Sequence, residues 1–162
     1  MLIFAVGNES RGDDALGPLL LRRIAASLGD ESGDESIELI EDFQLQVEHI
    51  TDLVGREHVL FVDADVSCES PLQLSAIRPE NDTSYSSHAM TPFAVLHAYR
   101  QVYGTDAPPS SLLRIRGHGF ELGEGLSAEA AANLEQAVAR VREWLTDISP
   151  DRKKGASINS KS

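Results

Sequence analysis

The first eighteen residues constrain this chain most. Leu2 to Val6 is apolar throughout, as in a strand buried on both faces. The stretch Gly7-Asn8-Glu9-Ser10-Arg11-Gly12-Asp13-Asp14-Ala15-Leu16-Gly17-Pro18 follows it. Leu16, Leu20, Ile24 and Leu28 then recur every fourth residue, with Leu19 and Leu21 widening the stripe, which predicts an amphipathic helix with Pro18 in its first turn. A strand, a short loop and a helix form the opening unit of an α/β sheet, and such sheets hold their ligands at strand-to-helix loops. Loops of this kind that bind phosphate use glycines and a basic residue. Here Gly7 and Gly12 miss the dinucleotide spacing, no Lys follows as in a P-loop, and Asp13 and Asp14 stand side by side. That pair repels phosphate and attracts a metal cation, a proton or a cationic group.

The remaining pattern completes the fold. Gly29 to Ser36 is a short acidic, low-complexity link that reads as a solvated loop. Ile37 to Ile40 predicts a second strand, Asp42 to Gln46 a turn, and Val47, Ile50 and Val54 a second helix ending at Gly55. His58 to Val62 predicts a third strand running into Asp63-Ala64-Asp65, and carboxylates at the C-terminal end of a buried parallel strand sit at the functional edge of a sheet. Only about eight residues separate it from the next strand, Leu72 to Ile77, too few for a parallel crossover, so this fourth strand is expected antiparallel and at an edge. Arg78 to Met90 is polar and irregular and contains His88. Thr91 caps a third helix with Pro92 at its first position, an inner stripe of Val95, Tyr99 and Val102, and Gly104 as its stop. Leu112 to Arg116 predicts the fifth strand, and Ser127 caps a last helix whose face is Leu134, Val138, Val141 and Leu145.

This order predicts a three-layer α/β/α sandwich on a five-stranded, mostly parallel sheet with one antiparallel edge-side strand. Residues 1–149 form a single domain in this reading, and the polar, aperiodic residues 150–162 a disordered tail. Right-handed crossovers place strand one between strands two and three, so the loops after strands one and three meet. Asp14 and Asp63 are brought together by that argument.

Composition narrows the function. A net charge of −12 argues against a nucleic-acid or anionic-membrane surface. Cys68 is the single cysteine, which excludes an intrachain disulfide and a cysteine-based metal site and fits a reducing compartment. No apolar run approaches the roughly 20 residues that span a bilayer, and the start of the chain lacks the form of a signal peptide. The expectation is a cytoplasmic protein with no membrane partner.

Four stretches resemble, in order and spacing, the motifs of the [NiFe]-hydrogenase maturation endopeptidases. They are Gly7-Asn8 with Asp13-Asp14 and Gly17, then Phe61-Val62-Asp63-Ala64, then Ser87-His88 ahead of a helix, and Phe120-Glu121-Leu122-Gly123-Glu124-Gly125-Leu126-Ser127. The resemblance runs from Leu2 to about Leu145. It implies an enzyme that removes a C-terminal extension from the precursor of a [NiFe]-hydrogenase large subunit after nickel insertion. By motif position it implies Asp14, Asp63 and His88 as metal ligands, with nickel carried by the substrate and zinc able to substitute. It further implies a monomer whose partner is that precursor. Two departures stand out: the first ligand is often Glu in this family, one methylene longer than Asp14, and Ala15 stands where Gly is common. Asp42 to Glu48 also replaces a Gly-rich loop seen in some members.

Two carboxylates and an imidazole suit a borderline divalent ion such as Ni²⁺ or Zn²⁺, and three protein ligands leave positions open for substrate groups. Asp14 and Asp63 are the catalytic candidates; no Ser-His-Asp set or HExxH motif supplies an attacking group. Other polar residues read as structural: Asp13 as a loop or helix N-terminal acid, Asp65 as a solvated loop carboxylate, Asn8 as a loop-fixing amide. Cys68 reads as inert, and His49, His58, His97 and His118 as structural or surface residues. Two other functions compete. A non-catalytic nickel-binding assembly factor predicts the same ligands, whereas a flavodoxin-like nucleotide or flavin binder suits the fold but lacks phosphate-binding chemistry in its first loop.

Overall fold

The apolar run at the start is strand β1, Leu2–Val6, and it occupies the interior of the sheet. The structure, a computed structural model, describes residues 1–28, 36–80 and 90–148. The acidic link over residues 29–35, the segment 81–89 with His88 and the tail from residue 149 lie outside the described residues. β1 pairs in parallel with β2 (Glu38–Asp42) on one side and β3 (Val59–Asp65) on the other. β4 (Leu72–Ile77) pairs antiparallel with β5 (Ser110–Arg116), which itself pairs in parallel with β3. The sheet order is β2-β1-β3-β5-β4, so β4 runs antiparallel, as the short β3–β4 connection requires, and lies at an edge beyond β5.

Alternation along the strands sorts the core into two halves. Ile3, Ala5, Leu60, Val62, Leu113 and Ile115 pack against α1 (Leu16–Leu28) and α3 (Ala128–Ile148), through Leu20, Ile24, Val138 and Val141. Leu2, Phe4, Val59, Phe61 and Leu112 pack on the opposite face against Val95, Leu96 and Tyr99 of α2 (Pro92–Tyr103). The result is the three-layer α/β/α sandwich. Helix ends follow the sequence signals. The Thr91 hydroxyl accepts the Ala94 N–H at 3.1 Å, Gly104 takes the left-handed conformation at φ 71°, and the Ser127 hydroxyl accepts the Ala130 N–H at 3.1 Å.

Three local expectations are corrected. The segment Val47–Leu53 is 3₁₀ rather than α-helical. Its buried residues are Ile50 and Leu53, three apart as a three-residue turn demands, whereas Val47 and Val54 are exposed. Val102 follows the Val95–Tyr99 stripe but stands exposed in the last turn of α2, outside the packed cluster. β2 and β3 each run further toward the loop edge than their apolar runs do, to Asp42 and Asp65, because backbone pairing carries polar residues along.

Close packing of α1 onto β1 depends on Gly17. A Cβ there would lie 2.5 Å from the Val6 carbonyl oxygen, a backbone atom with no rotamer by which to yield. Gly17→Ala is therefore expected to push α1 off the sheet and cost about 2–3 kcal/mol, read as a lower urea midpoint at unchanged slope.

Candidate functional site

The loop after β1 is shaped by contacts of its own backbone. Gly7 has φ 153°, and a Cβ there would lie 2.1 Å from the Asp14 carbonyl oxygen, so only glycine lets the turn Gly12–Ala15 close against the end of β1. The Gly7 N–H donates to the Asp42 carbonyl at 3.1 Å, tying this loop to the end of β2. Asn8 fixes the loop as its type suggests: its side-chain oxygen accepts the Ser10 N–H at 2.9 Å.

The two adjacent acids go to different environments. Asp13 has no exposed surface. One carboxylate oxygen accepts the Ser127 N–H at 2.7 Å, and the other accepts the Ser127 hydroxyl at 2.8 Å and the His118 and Gly119 N–H groups at 2.7 and 3.1 Å. Burial opposes ionisation of Asp13, but the bonds from Ser127, His118 and Gly119 outweigh it and hold its pKa below the ordinary carboxylate value. Asp13 stands in the first turn of the 3₁₀ helix Gly12–Ala15, as expected of a loop or helix N-terminal acid, and its carboxylate also serves the start of α3. The donors converge there because the Gly117–Ser127 loop folds over the turn, with the Asp13 N–H returning a bond to the Gly119 carbonyl at 2.7 Å.

Asp14 is half-buried and accepts the Asn8 N–H at 2.9 Å. Burial raises its pKa, against the opposing pull of the Asn8 N–H and the Arg11 charge. Asp63 lies within β3, opposite Arg114 in register. Burial, then the negative charge of Asp14, push its pKa up to about 7, with Asp65 adding to the rise and the Ala64 N–H opposing it. Asp14 and Asp63 line one cleft of about 220 Å³, together with Phe4, Phe61, Phe43, Gln44 and Met90. The meeting of the first and third loops predicted from topology is therefore realised.

A half-buried pair of carboxylates of like charge in a largely apolar cleft repels itself. It relieves its repulsion by keeping a proton or by taking a cation, and carboxylate oxygens suit a divalent ion. The donor set fits such an ion on that ground. Among the described residues no three His, Cys, Asp or Glu side chains stand together as a metal site. His88, the third residue proposed from sequence, lies outside the described residues.

The other candidates fall into structural roles. Asp65 is not a solvated loop carboxylate. It ends β3, accepts the Ser67 N–H and hydroxyl at 2.7 and 2.6 Å, and pairs with Arg114 at 3.6 Å. Burial resists its ionisation, but Ser67 and Arg114 prevail and lower its pKa. Cys68 is buried, and burial with the Asp65 charge pushes its thiol up, as suits an unreactive cysteine. His49 is bound into the turn after β2, His58 lies edge-on to Trp144 at 6.5 Å, His97 is half-buried on α2, and His118 is exposed with its N–H given to Asp13. Phe43 and Gln44 are cleft residues that sequence reasoning missed. Their signal was positional: the turn after β2 opens at the same sheet edge as the loops after β1 and β3.

No protein-family model and no curated protein matches the chain in sequence. Solved structures match in fold. The hydrogenase maturating endopeptidase HybD from E. coli superposes with a TM-score of 0.69 at 22% identity, over 91% of this chain and 93% of that one. The [NiFe] hydrogenase maturation protease HycI from Thermococcus kodakarensis gives 0.62 at 20% identity, over 88% and 90%. The hydrogenase 2 maturation peptidase from a Thaumarchaeota archaeon gives 0.60 at 22% identity, over 89% and 97%. The fold of this chain is the one that [NiFe] hydrogenase maturation proteases adopt.

Proposed function

We propose that this protein is an endopeptidase that removes the C-terminal extension of a [NiFe]-hydrogenase large-subunit precursor after nickel has been inserted. The observation that carries the reading is the Asp14–Asp63 pair, two carboxylates of like charge in one cleft at the C-terminal edge of β1 and β3. A fold shared with maturation proteases over about nine-tenths of the chain supports it. Nickel enters as part of the substrate, and zinc could take its place in isolation. The loop acid Asp14 and the strand acid Asp63 would hold the ion. His88 would add the third contact, since it precedes by two residues Met90, which lines the cleft, and two residues reach about 7 Å. A divalent ion there supplies charge that polarises a peptide carbonyl. The protein's own part is to orient that carbonyl and to keep the cleft apolar on the Phe4 and Phe61 side, so that the carboxylate charges act through few intervening waters. The enzyme would act in the cytoplasm, and no helix among the described residues is long and apolar enough to cross a membrane.

Purified protein is expected to shorten purified nickel-loaded precursor by the mass of a C-terminal peptide. A protein that binds the precursor and leaves its mass unchanged is an assembly factor instead. Metal binding by the free protein should also depend on pH. Asp63 keeps a proton up to about pH 7, and an imidazole coordinates only when neutral, with an ordinary pKa of about 6.5. Protons and metal therefore compete, and calorimetric affinity for Ni²⁺ should fall as pH drops from 8 through about 6. His88→Ala should lose most of the affinity and flatten part of that slope, and His97→Ala should do neither. Parent-like binding by His88→Ala across the range would remove His88 from the site.

A further inference from the structure

The turn after β2 is held by a closed set of bonds that nothing above uses. Asp42, the last residue of β2, turns one carboxylate oxygen onto the Phe43 N–H at 2.7 Å. Its other oxygen lies 3.0 Å from His49 Nε2. His49 Nδ1 accepts the Gln46 N–H at 2.8 Å, so the ring proton sits on Nε2 and is donated to Asp42. A doubly protonated ring would have no lone pair for Gln46, so the contact is a hydrogen bond from a neutral imidazole to a carboxylate. The ring is also fixed by Phe4, edge-on with centroids 4.7 Å apart. His49 thus bridges the two ends of the five-residue stretch Asp42 to Gln46.

What that bridge encloses is one side of the cleft. Phe43, Gln44 and Leu45 all line it, and Phe43 lines the neighbouring groove by Asn8 and Glu9 as well. Phe43 is 74% exposed, a large apolar side chain displayed beside two carboxylates instead of being buried. The stretch is tied on both flanks. The Asp42 carbonyl accepts the Gly7 N–H at 3.1 Å, and the Leu45 carbonyl accepts the Met90 N–H at 3.1 Å. A loop with an exposed apolar tip is normally free to move, and here backbone and side-chain bonds hold it at both ends.

We propose that Asp42 and His49 are positioning residues for the cleft. They hold Phe43-Gln44-Leu45 as a preformed side against which the substrate chain next to the cleaved bond lies. The proposal rests on the function given above for its substrate, and on geometry alone for the clasp. Preorganisation of a loop lowers the cost of ordering it when substrate binds, so loss of the clasp should appear as weaker binding before slower chemistry.

The test compares the parent with His49→Ala and His49→Gln. The Gln amide offers an N–H for Asp42 and an oxygen for the Gln46 N–H. Amide hydrogen exchange of the metal-free proteins is expected to speed up in His49→Ala at residues 43–46 and 90 and to stay unchanged in β1, β3 and β5. In precursor processing, His49→Ala should raise KM about tenfold with kcat within about twofold, and His49→Gln should recover most of the loss. Parent-like exchange in the 43–46 stretch, exchange raised equally throughout the sheet, or an unchanged KM would each overturn the proposal. A parent that cuts no precursor overturns the function proposed above, and the exchange comparison still decides the clasp.

Discussion

Asp63→Asn is expected to abolish processing and to make the metal-free protein more stable at pH 8. The two effects share one cause. Asp63 has a pKa of about 7 in the folded protein because it is buried beside the Asp14 charge. In the unfolded chain an Asp titrates near 3.9. Between those values the native state holds a proton that the unfolded state has lost, so stability falls as pH rises through that window and stays low above it. Asn carries no charge and removes that fall. The variant should gain about 1–3 kcal/mol over the parent at pH 8 and much less at pH 5, seen as a shift of the urea midpoint. Processing should drop by more than the roughly 100-fold that losing even an outer-shell metal partner costs. A variant no more stable than the parent at pH 8 would show that Asp63 is not a strained carboxylate.

Asp13→Asn is expected to do the reverse, although Asp13 adjoins Asp14 in the same motif. Its carboxylate accepts bonds from Ser127, His118 and Gly119, and an amide can accept at only one oxygen while turning its own N–H groups toward donors. Bonds to a charged, buried acceptor contribute strongly, and removing that acceptor strands several buried donors. The variant should lose about 3–5 kcal/mol at pH 7. The sign with pH is opposite to that of Asp63. The folded pKa of Asp13 is depressed, so its contribution is complete above the unfolded value near 3.9 and is lost as pH falls through the lower folded value. The parent and Asp13→Asn should therefore converge in stability toward strong acid. A deficit below about 1 kcal/mol at pH 7 would mean that the Gly117–Ser127 loop is held on the Gly12–Ala15 turn by other contacts.

These two residues show how far the sequence could be read. Topology followed from elements with strong periodicity, and it predicted that the loops after β1 and β3 meet, as they do around Asp14 and Asp63. What periodicity could not give was the destination of each acid. Asp13 and Asp14 are identical in type and neighbours in chain, and only the distant Gly117–Ser127 loop assigns one to the frame and leaves the other in the cleft. The 3₁₀ segment departs from its pattern for a related reason. Val47, Ile50 and Val54 satisfy an α-helical stripe on paper, but packing on Phe4 and its neighbours selects Ile50 and Leu53. The Phe43 side of the cleft carries only the positional signal of its sheet edge, because an exposed aromatic in a turn adds no periodic one.

The most direct test is an intact-mass time course on two preparations of one hydrogenase large-subunit precursor, nickel-loaded and nickel-free, each incubated with purified protein. The account predicts that the nickel-loaded precursor loses its C-terminal extension and the nickel-free precursor keeps it, and that Asp14→Asn and Asp63→Asn leave both uncut. Equal cutting of the two preparations would contradict a cleft that reads the substrate's nickel, and full cutting by either Asn variant would contradict the Asp14–Asp63 site itself.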